Sequence, residues 1–355
     1  MLQFFKEDKL TVIRLLALIS FFSAMSMSFD LWFSKRMFPL IPFLEGLYTP
    51  NVVIDYFLII IFFTFFLLFV WKPIWMNSLP IIIIFVYWIL LDQNRIQPFF
   101  FEIIFVVFAL TMFTENRNVA KKCLFFIFIG TYFWSGLHKC NDLFFEKWLN
   151  GLNKRIPFVP YWMRLSFTYA VPFLESGFGI LLVFVKTRKI GVWLITIMHF
   201  IILITFVKGN YGYIVMPLTL FNIFTLFFIF YNSNMKAKEL FFLNNLKMNF
   251  IYLITIILPF SNFFGFYDHI LAFSYFSGKP KYARIVFNNL SQKNELPPHI
   301  NTFVREYNET YYLDLNEWSA NAISVMVYPE MRVYLKINKY VKSHLKDKNI
   351  RLVFY

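Results

Sequence analysis

Residues 52–71 read VVIDYFLIIIFFTFFLLFVW. Only Asp55 and Thr64 interrupt a run of apolar and aromatic residues. At about 1.5 Å of rise per residue, a helix of this length covers roughly 30 Å, the thickness of a bilayer's hydrocarbon core. No soluble helix needs an apolar surface of that length on every side. The stretch therefore places the chain in a membrane.

The remainder of the sequence extends the pattern. Apolar runs at or near spanning length occupy 10–29, 80–91, 99–114, 123–137, 166–185, 190–207, 213–231 and 250–266. With 52–71 they predict an all-α polytopic membrane bundle of about nine transmembrane helices. The first run is read as an uncleaved helix rather than a secretory leader. Of 355 residues, 59% are hydrophobic and only 15% charged, too much apolar surface for a soluble chain to hide. The net charge of +14 does not imply nucleic acid, because the basic residues sit mostly in short loops between apolar runs. Lys6 and Lys9, then Arg117, Lys121 and Lys122, then Lys186, Arg188 and Lys189, then Lys236, Lys238 and Lys247 fall on one side of a nine-span chain. By the positive-inside rule that side is cytoplasmic. The expected location is a bacterial inner membrane, with the N-terminus cytoplasmic and the C-terminus extracytoplasmic. The intervening loops carry Lys35, Arg36, Arg95, Lys208 and a longer segment, 138–164, which is itself basic and weakens the rule locally.

Two loops carry many aromatics. Residues 30–51 hold three prolines and read as a loop resting on the interface, and 141–164 has an interfacial amphipathic pattern. The character changes near residue 266. The expected division is a transmembrane helical domain, 1–266, and a small α+β extramembrane domain, 267–355. Residues 283–287 and 310–315 alternate as strands. Asn316 is placed to cap a helix running to Met326, Tyr328-Pro329-Glu330 breaks it, a second helix runs to about Leu345, and 351–354 closes as a strand.

Ionisable residues in spans are functional suspects. The richest group ends the 123–137 run: Tyr132-Phe-Trp-Ser135-Gly136-Leu-His138-Lys139-Cys-Asn141-Asp142. Ser135 and Gly136 permit close helix packing, and Gly136 is expected to tolerate alanine less well than Gly179. A partly desolvated Lys139 would serve as a base; alternatively it snorkels to headgroups with Asp142 as its partner. Asp92 and Arg95 form a second group, spaced for an i, i+3 ion pair. Glu175 and His199, midway along neighbouring runs, are placed to share a proton. No His/carboxylate spacing suits a metal. Cys123 and Cys140 lie roughly 25 Å apart on one predicted helix, too far for a disulfide, and no C-x-x-C pair exists.

These residues, in this order, resemble the HTTM family, the membrane domain shared with vitamin K-dependent gamma-glutamyl carboxylase. Leu91-Asp92, Ser135-Gly136-Leu137-His138-Lys139, Trp148-Leu-Asn-Gly151, His199-Phe200, Gly212-Tyr-Ile-Val-Met216 and Ala272-Phe-Ser-Tyr275 carry the likeness over roughly residues 10–290. The resemblance implies a quinol-dependent enzyme with oxygenase- or carboxylase-like activity. In it Lys139 is the catalytic base, and His138, Asp92, Arg95, Glu175, His199 and Tyr275 line the site of a vitamin K-like quinone or another lipophilic small molecule. Phe99 stands where the carboxylase has a functional histidine, and the C-terminal region is small, so propeptide-directed carboxylation is not expected. Two alternatives accompany this reading. One is a DoxX-like or MauE-like redox-associated membrane subunit, which also ends a span with Gly-Leu-x-Lys; the other is a non-catalytic membrane scaffold. The missing cysteine pair argues against dithiol chemistry in the former.

Overall fold

The computed structural model describes residues 9–355 except 115, 210–212 and 309, and the side chains of 206–209. Lys6 and Gly212, and the side chain of Lys208, lie outside the described residues. The helices are α1 (Lys9–Met27), α2 (Val52–Trp71), α3 (Trp75–Leu91), α4 (Pro98–Met112), α5 (Arg117–Leu137), α6 (Asp142–Arg155), α7 (Tyr161–Val183), α8 (Arg188–Gly209), α9 (Met216–Ile229) and α10 (Leu246–Tyr252). The last continues as π and 3-10 turns to Phe264.

The protein is a helical membrane bundle with a small C-terminal sheet domain. Among the described residues, five of the nine apolar runs form helices both long and apolar enough to cross a bilayer: Lys9–Met27, Val52–Trp71, Tyr161–Val183, Arg188–Thr205 and Leu246–Phe264. Their outward residues, such as Phe57, Ile60, Phe173, Ile180, Ile197 and Ile201, are exposed hydrocarbon, which suits lipid and not water. Helices α3 and α4 and the stretch Tyr213–Ile229 are apolar but shorter. Helix α5 begins with Arg117, Lys121 and Lys122.

The chain forms two units. The first comprises residues up to Ala24, Thr64–Ile82 and Pro98–Lys279; the second comprises Met25–Phe63, Ile83–Gln97 and Pro280–Tyr355. In the first, α5 is the central helix. Cys123 through Phe128 are fully buried in succession, as expected of a helix that is apolar all round. It packs most extensively on α7, where neither backbone is held off by a side chain. An added Cβ on Gly136 would meet Ser176 Oγ at 2.5 Å and the Pro172 carbonyl at 2.7 Å; one on Gly179 would meet the Phe133 amide at 2.8 Å. Ser176 Oγ donates to the Phe133 carbonyl at 2.9 Å across the seam. Lipid supplies no hydrophobic drive to pair helices, so small residues and interhelical hydrogen bonds do so. The expected contrast between Gly136 and Gly179 thus gives way: both glycines lie in one seam, and Gly177, with open space around it, is the permissive position. Arg188, grouped by sequence with the orienting loop charges, is buried. It bonds the Leu182, Val183, Ser233 and Met235 carbonyls and closes the end of α7.

In the second unit a four-stranded antiparallel sheet has the order β2-β3-β1-β4. Its strands are β1 (Ala283–Phe287), β2 (Val304–Tyr307), β3 (Thr310–Asp314) and β4 (Arg351–Phe354). Strand β2 was not anticipated; its burial does not alternate, so it has no period-two signature. Helices α11 (Leu315–Ile323) and α12 (Met331–Ser343) follow β3. Asp314, not Asn316, caps α11 by accepting from the Asn316 and Glu317 amides, and it also receives Arg284 and Tyr355. Asn316 instead accepts from the Val327 amide. Helix α11 ends at left-handed Ser324, before Met326. Residues 30–51 are packed into this unit: Leu31, Trp32, Phe38 and Ile41 are buried, with Phe38 against Trp318 at 4.6 Å.

Gly136→Ala and Gly179→Ala should each lower thermal stability in detergent, by an overpacking cost of about 1–3 kcal/mol, while Gly177→Ala should leave it near wild type. Three equal melting temperatures would remove the close-seam description.

Candidate functional site

On α5, Tyr132, Ser135 and Gly136 share one face at helical spacing, and the turn that continues past Leu137 adds Lys139. On α7, Pro172, Glu175, Ser176 and Gly179 share another. The glycine seam brings the two faces together. Lys139 Nζ lies 2.5 Å from Glu175 Oε2 and donates to Ser135 Oγ at 3.1 Å, and Ser135 Oγ donates to Glu175 Oε1 at 2.8 Å. The lysine and glutamate side chains are 9% and 10% exposed, so water screens this ion pair little. Both carboxylate oxygens are satisfied, which a buried carboxylate requires. Lys139 is thus neither solitary against aromatic rings nor paired with Asp142. Its first neighbour is the acid of α7.

His199 on α8 does not bond Glu175. Its Nε2 is 2.8 Å from the Tyr132 hydroxyl, and its Nδ1 is buried without a hydrogen-bond partner. Tyr132 lies one helical turn from Ser135 on α5, so the Tyr–His pair and the Lys–Ser–Glu network form one polar core. His138 turns elsewhere, against Phe263 at 4.6 Å and Trp134 at 5.8 Å. Tyr275 is buried in a tight segment whose neighbours Phe273 and Phe276 both have positive φ, a costly conformation for bulky residues. The segment is held by the Asn141 amide, which donates to the Ser277 carbonyl at 2.9 Å. The Tyr275 hydroxyl has no hydrogen-bond partner.

Asp92 and Arg95 belong to the second unit and do not pair with each other. Asp92 forms an ion pair with Arg36 and accepts from the Ile41 amide and from both nitrogens of Asn94. Arg95 donates to the Leu31 and Trp88 carbonyls. The turn they form is buried, and its side chains hold the C-terminal domain: Asn94 accepts from the Tyr328 amide, Gln97 donates to the Met326 carbonyl, and Arg332 donates to Gln93. Geometry makes this turn a structural hub, so Asp92 and Arg95 fit that role better than a substrate-binding one.

One residue of the first unit escaped the sequence reading. Glu102, in the second turn of α4, is fully buried, and neither carboxyl oxygen has a hydrogen-bond partner. The signal was present: a lone acid inside Phe-Phe-Phe-Glu-Ile-Ile-Phe is an intramembrane charge by position. Among the described residues, no cluster of His, Cys, Asp and Glu is arranged to hold a metal.

Residues 117–232 match the family model described as methylamine utilisation protein MauE. The match runs from α5 through α9 and contains Tyr132, Ser135, Lys139, Glu175 and His199. It covers about a third of the chain, so it is a likeness of that segment. Neither a curated protein nor a solved structure matches the chain. The finding overturns the HTTM resemblance, because the very segment that carried Ser135–Lys139 and His199–Phe200 fits MauE. The carboxylase-like role for Lys139 was implied by that resemblance and loses its support. The motifs misled for a physical reason: small residues at a helix crossing followed by a cation at the interface are what any tightly packed membrane bundle needs.

Removing one partner of the buried pair strands the other. Lys139→Met and Glu175→Leu should each cost about 3–5 kcal/mol of stability, and the double variant should recover most of it. Additive losses in a thermal-unfolding double-mutant cycle would show that the pair is not coupled.

Proposed function

We propose that this chain is a multi-pass membrane subunit of a redox system, MauE-like in its central helices. The observation that carries the reading is the family match over 117–232, which coincides with the helices that build the polar core. The thiols do not support a dithiol mechanism. Cys123 and Cys140 are both free; Cys123 is buried in α5, near its start, and Cys140 lies beyond the other end of that helix. Electrons therefore pass through a partner or a lipophilic carrier, and a quinone in the bilayer is the carrier we propose. The residues of α5, α7 and α8 contribute fixed charge and hydrogen-bonding groups inside the membrane, where they act strongly because little water screens them.

For the topology, we propose nine spans in an inner membrane, the N-terminus cytoplasmic, and residues 267–355 extracytoplasmic. The clusters of Lys and Arg between alternate apolar runs support this arrangement. Ser291 is exposed on the short helix Leu290–Glu295 of the C-terminal domain. Cysteine introduced there should react with an impermeant thiol reagent in cells whose outer barrier alone has been opened. Labelling only after lysis of the inner membrane would reverse the orientation.

The redox reading is tested by electron flow. Deleting the gene should abolish transfer from a membrane-linked donor to a quinone analogue in isolated membranes. A Cys123→Ser/Cys140→Ser copy should restore it, and a folded Lys139→Met/Glu175→Leu copy should not. Undiminished transfer in the deletion strain would reject the reading.

A further inference from the structure

Helix α4 is fifteen residues long, and most of it is buried. Phe100 packs on Phe21 of α1 at 5.0 Å, and Phe108 packs on Phe250 of α10 at 6.4 Å. Within this apolar packing, Glu102 is fully buried, with both carboxyl oxygens unpartnered. Its polar neighbours come from other elements. The Asn222 side chain of α9 interacts with both Glu102 and Tyr132, and Glu102 acts electrostatically on Tyr132 of α5 and Tyr275 of the segment after α10. Asn222 Oδ1 and the Tyr275 hydroxyl are also buried without hydrogen-bond partners. Among the described residues, no side chain of α1 or α10 is bonded to or paired with Glu102. Among the described residues it has no ion pair.

This differs in kind from Glu175, whose two oxygens are taken by Ser135 and Lys139. An isolated carboxylate in so dry a place would cost many kcal/mol, and no counter-charge offsets it. A neutral acid would instead supply an O–H to its surroundings, and the free Asn222 Oδ1 is an acceptor of the kind such a group needs.

We propose that Glu102, with Asn222, Tyr132 and Tyr275 around it, is a proton-binding site inside the membrane domain. The ligand is a proton, held on the carboxyl as a neutral acid. The Tyr132–His199 hydrogen bond extends the polar line from this site toward Lys139 and Glu175. The inference does not rest on the redox reading; it stands on the burial and the missing partners of one carboxyl.

The test is infrared spectroscopy of the purified full chain in lipid. The wild type should show a protonated-carboxyl C=O band that shifts in D2O and persists well above about pH 5, where an ordinary glutamate is ionised. Glu102→Gln should lose that band and keep the wild-type melting temperature, since the amide replaces a neutral group of the same shape. A band unchanged in the variant, or one that disappears by about pH 5 as an ordinary carboxyl would, overturns the proposal. So does a band bleached by sodium at constant pH, which would make the site a cation site. If the variant does not fold, the wild type still decides. Dicyclohexylcarbodiimide, an apolar reagent that couples to protonated carboxyls, should give an adduct on the Glu102 peptide and little on the Glu175 peptide. Equal labelling of the two, or none at Glu102, sinks the proposal.

Discussion

The close crossing of α5 and α7 governs the first unit. At Gly136 and Gly179 the backbones approach so nearly that a methyl group on either would displace its neighbour. That approach has an electrostatic consequence. Lysine and glutamate side chains on two helices reach each other only if the axes are close and the register is fixed, and here the seam supplies both. The Lys139–Ser135–Glu175 network is therefore a product of helix packing, and the Ser176–Phe133 bond beside it locks the register. In a lipid solvent, where burying apolar surface does not pull helices together, such contacts set the bundle's geometry.

The polar groups of this unit fall into two classes. Lys139, Ser135 and Glu175 satisfy one another, and Tyr132 satisfies one nitrogen of His199. Glu102, Asn222 Oδ1 and the Tyr275 hydroxyl do not have such partners. A satisfied network contributes rigidity, while unsatisfied buried groups are costly to keep. The contrast directs attention away from the lysine that the HTTM resemblance singled out and toward the acid on α4.

The second unit depends on a buried turn rather than on a sheet face alone. Asp92 gathers Arg36, the Ile41 amide and Asn94, and the same turn presents Asn94, Gln93 and Gln97 to residues 326–332. Far-separated segments of the chain are thereby tied to one carboxylate. An ion pair between Asp92 and Arg95, plausible from their spacing, does not form: Asp92 is taken by Arg36 and the Ile41 amide, and Arg95 donates to the Leu31 and Trp88 carbonyls.

Several features were legible in the sequence because they depend on short-range periodicity. The membrane class followed from the length of runs such as 52–71, the α+β character of the C-terminus from alternation at 283–287 and 310–315, and the suspicion of Lys139, Glu175 and His199 from charge in an apolar setting. Glu102, a lone acid in an apolar run, is equally legible by position. The tertiary structure alone decided the pairings. Periodicity shows which face of a helix a residue occupies but not which helix faces it, so Glu175 went to Lys139 and His199 to Tyr132. It also decided that Gly179 shares the seam with Gly136, and that Asp314 rather than Asn316 caps α11. Strand β2, with no alternation of its own, is fixed only by the hydrogen bonds of β3. The sequence determines the solvent each segment prefers; which groups meet is set by close packing between segments distant in the chain.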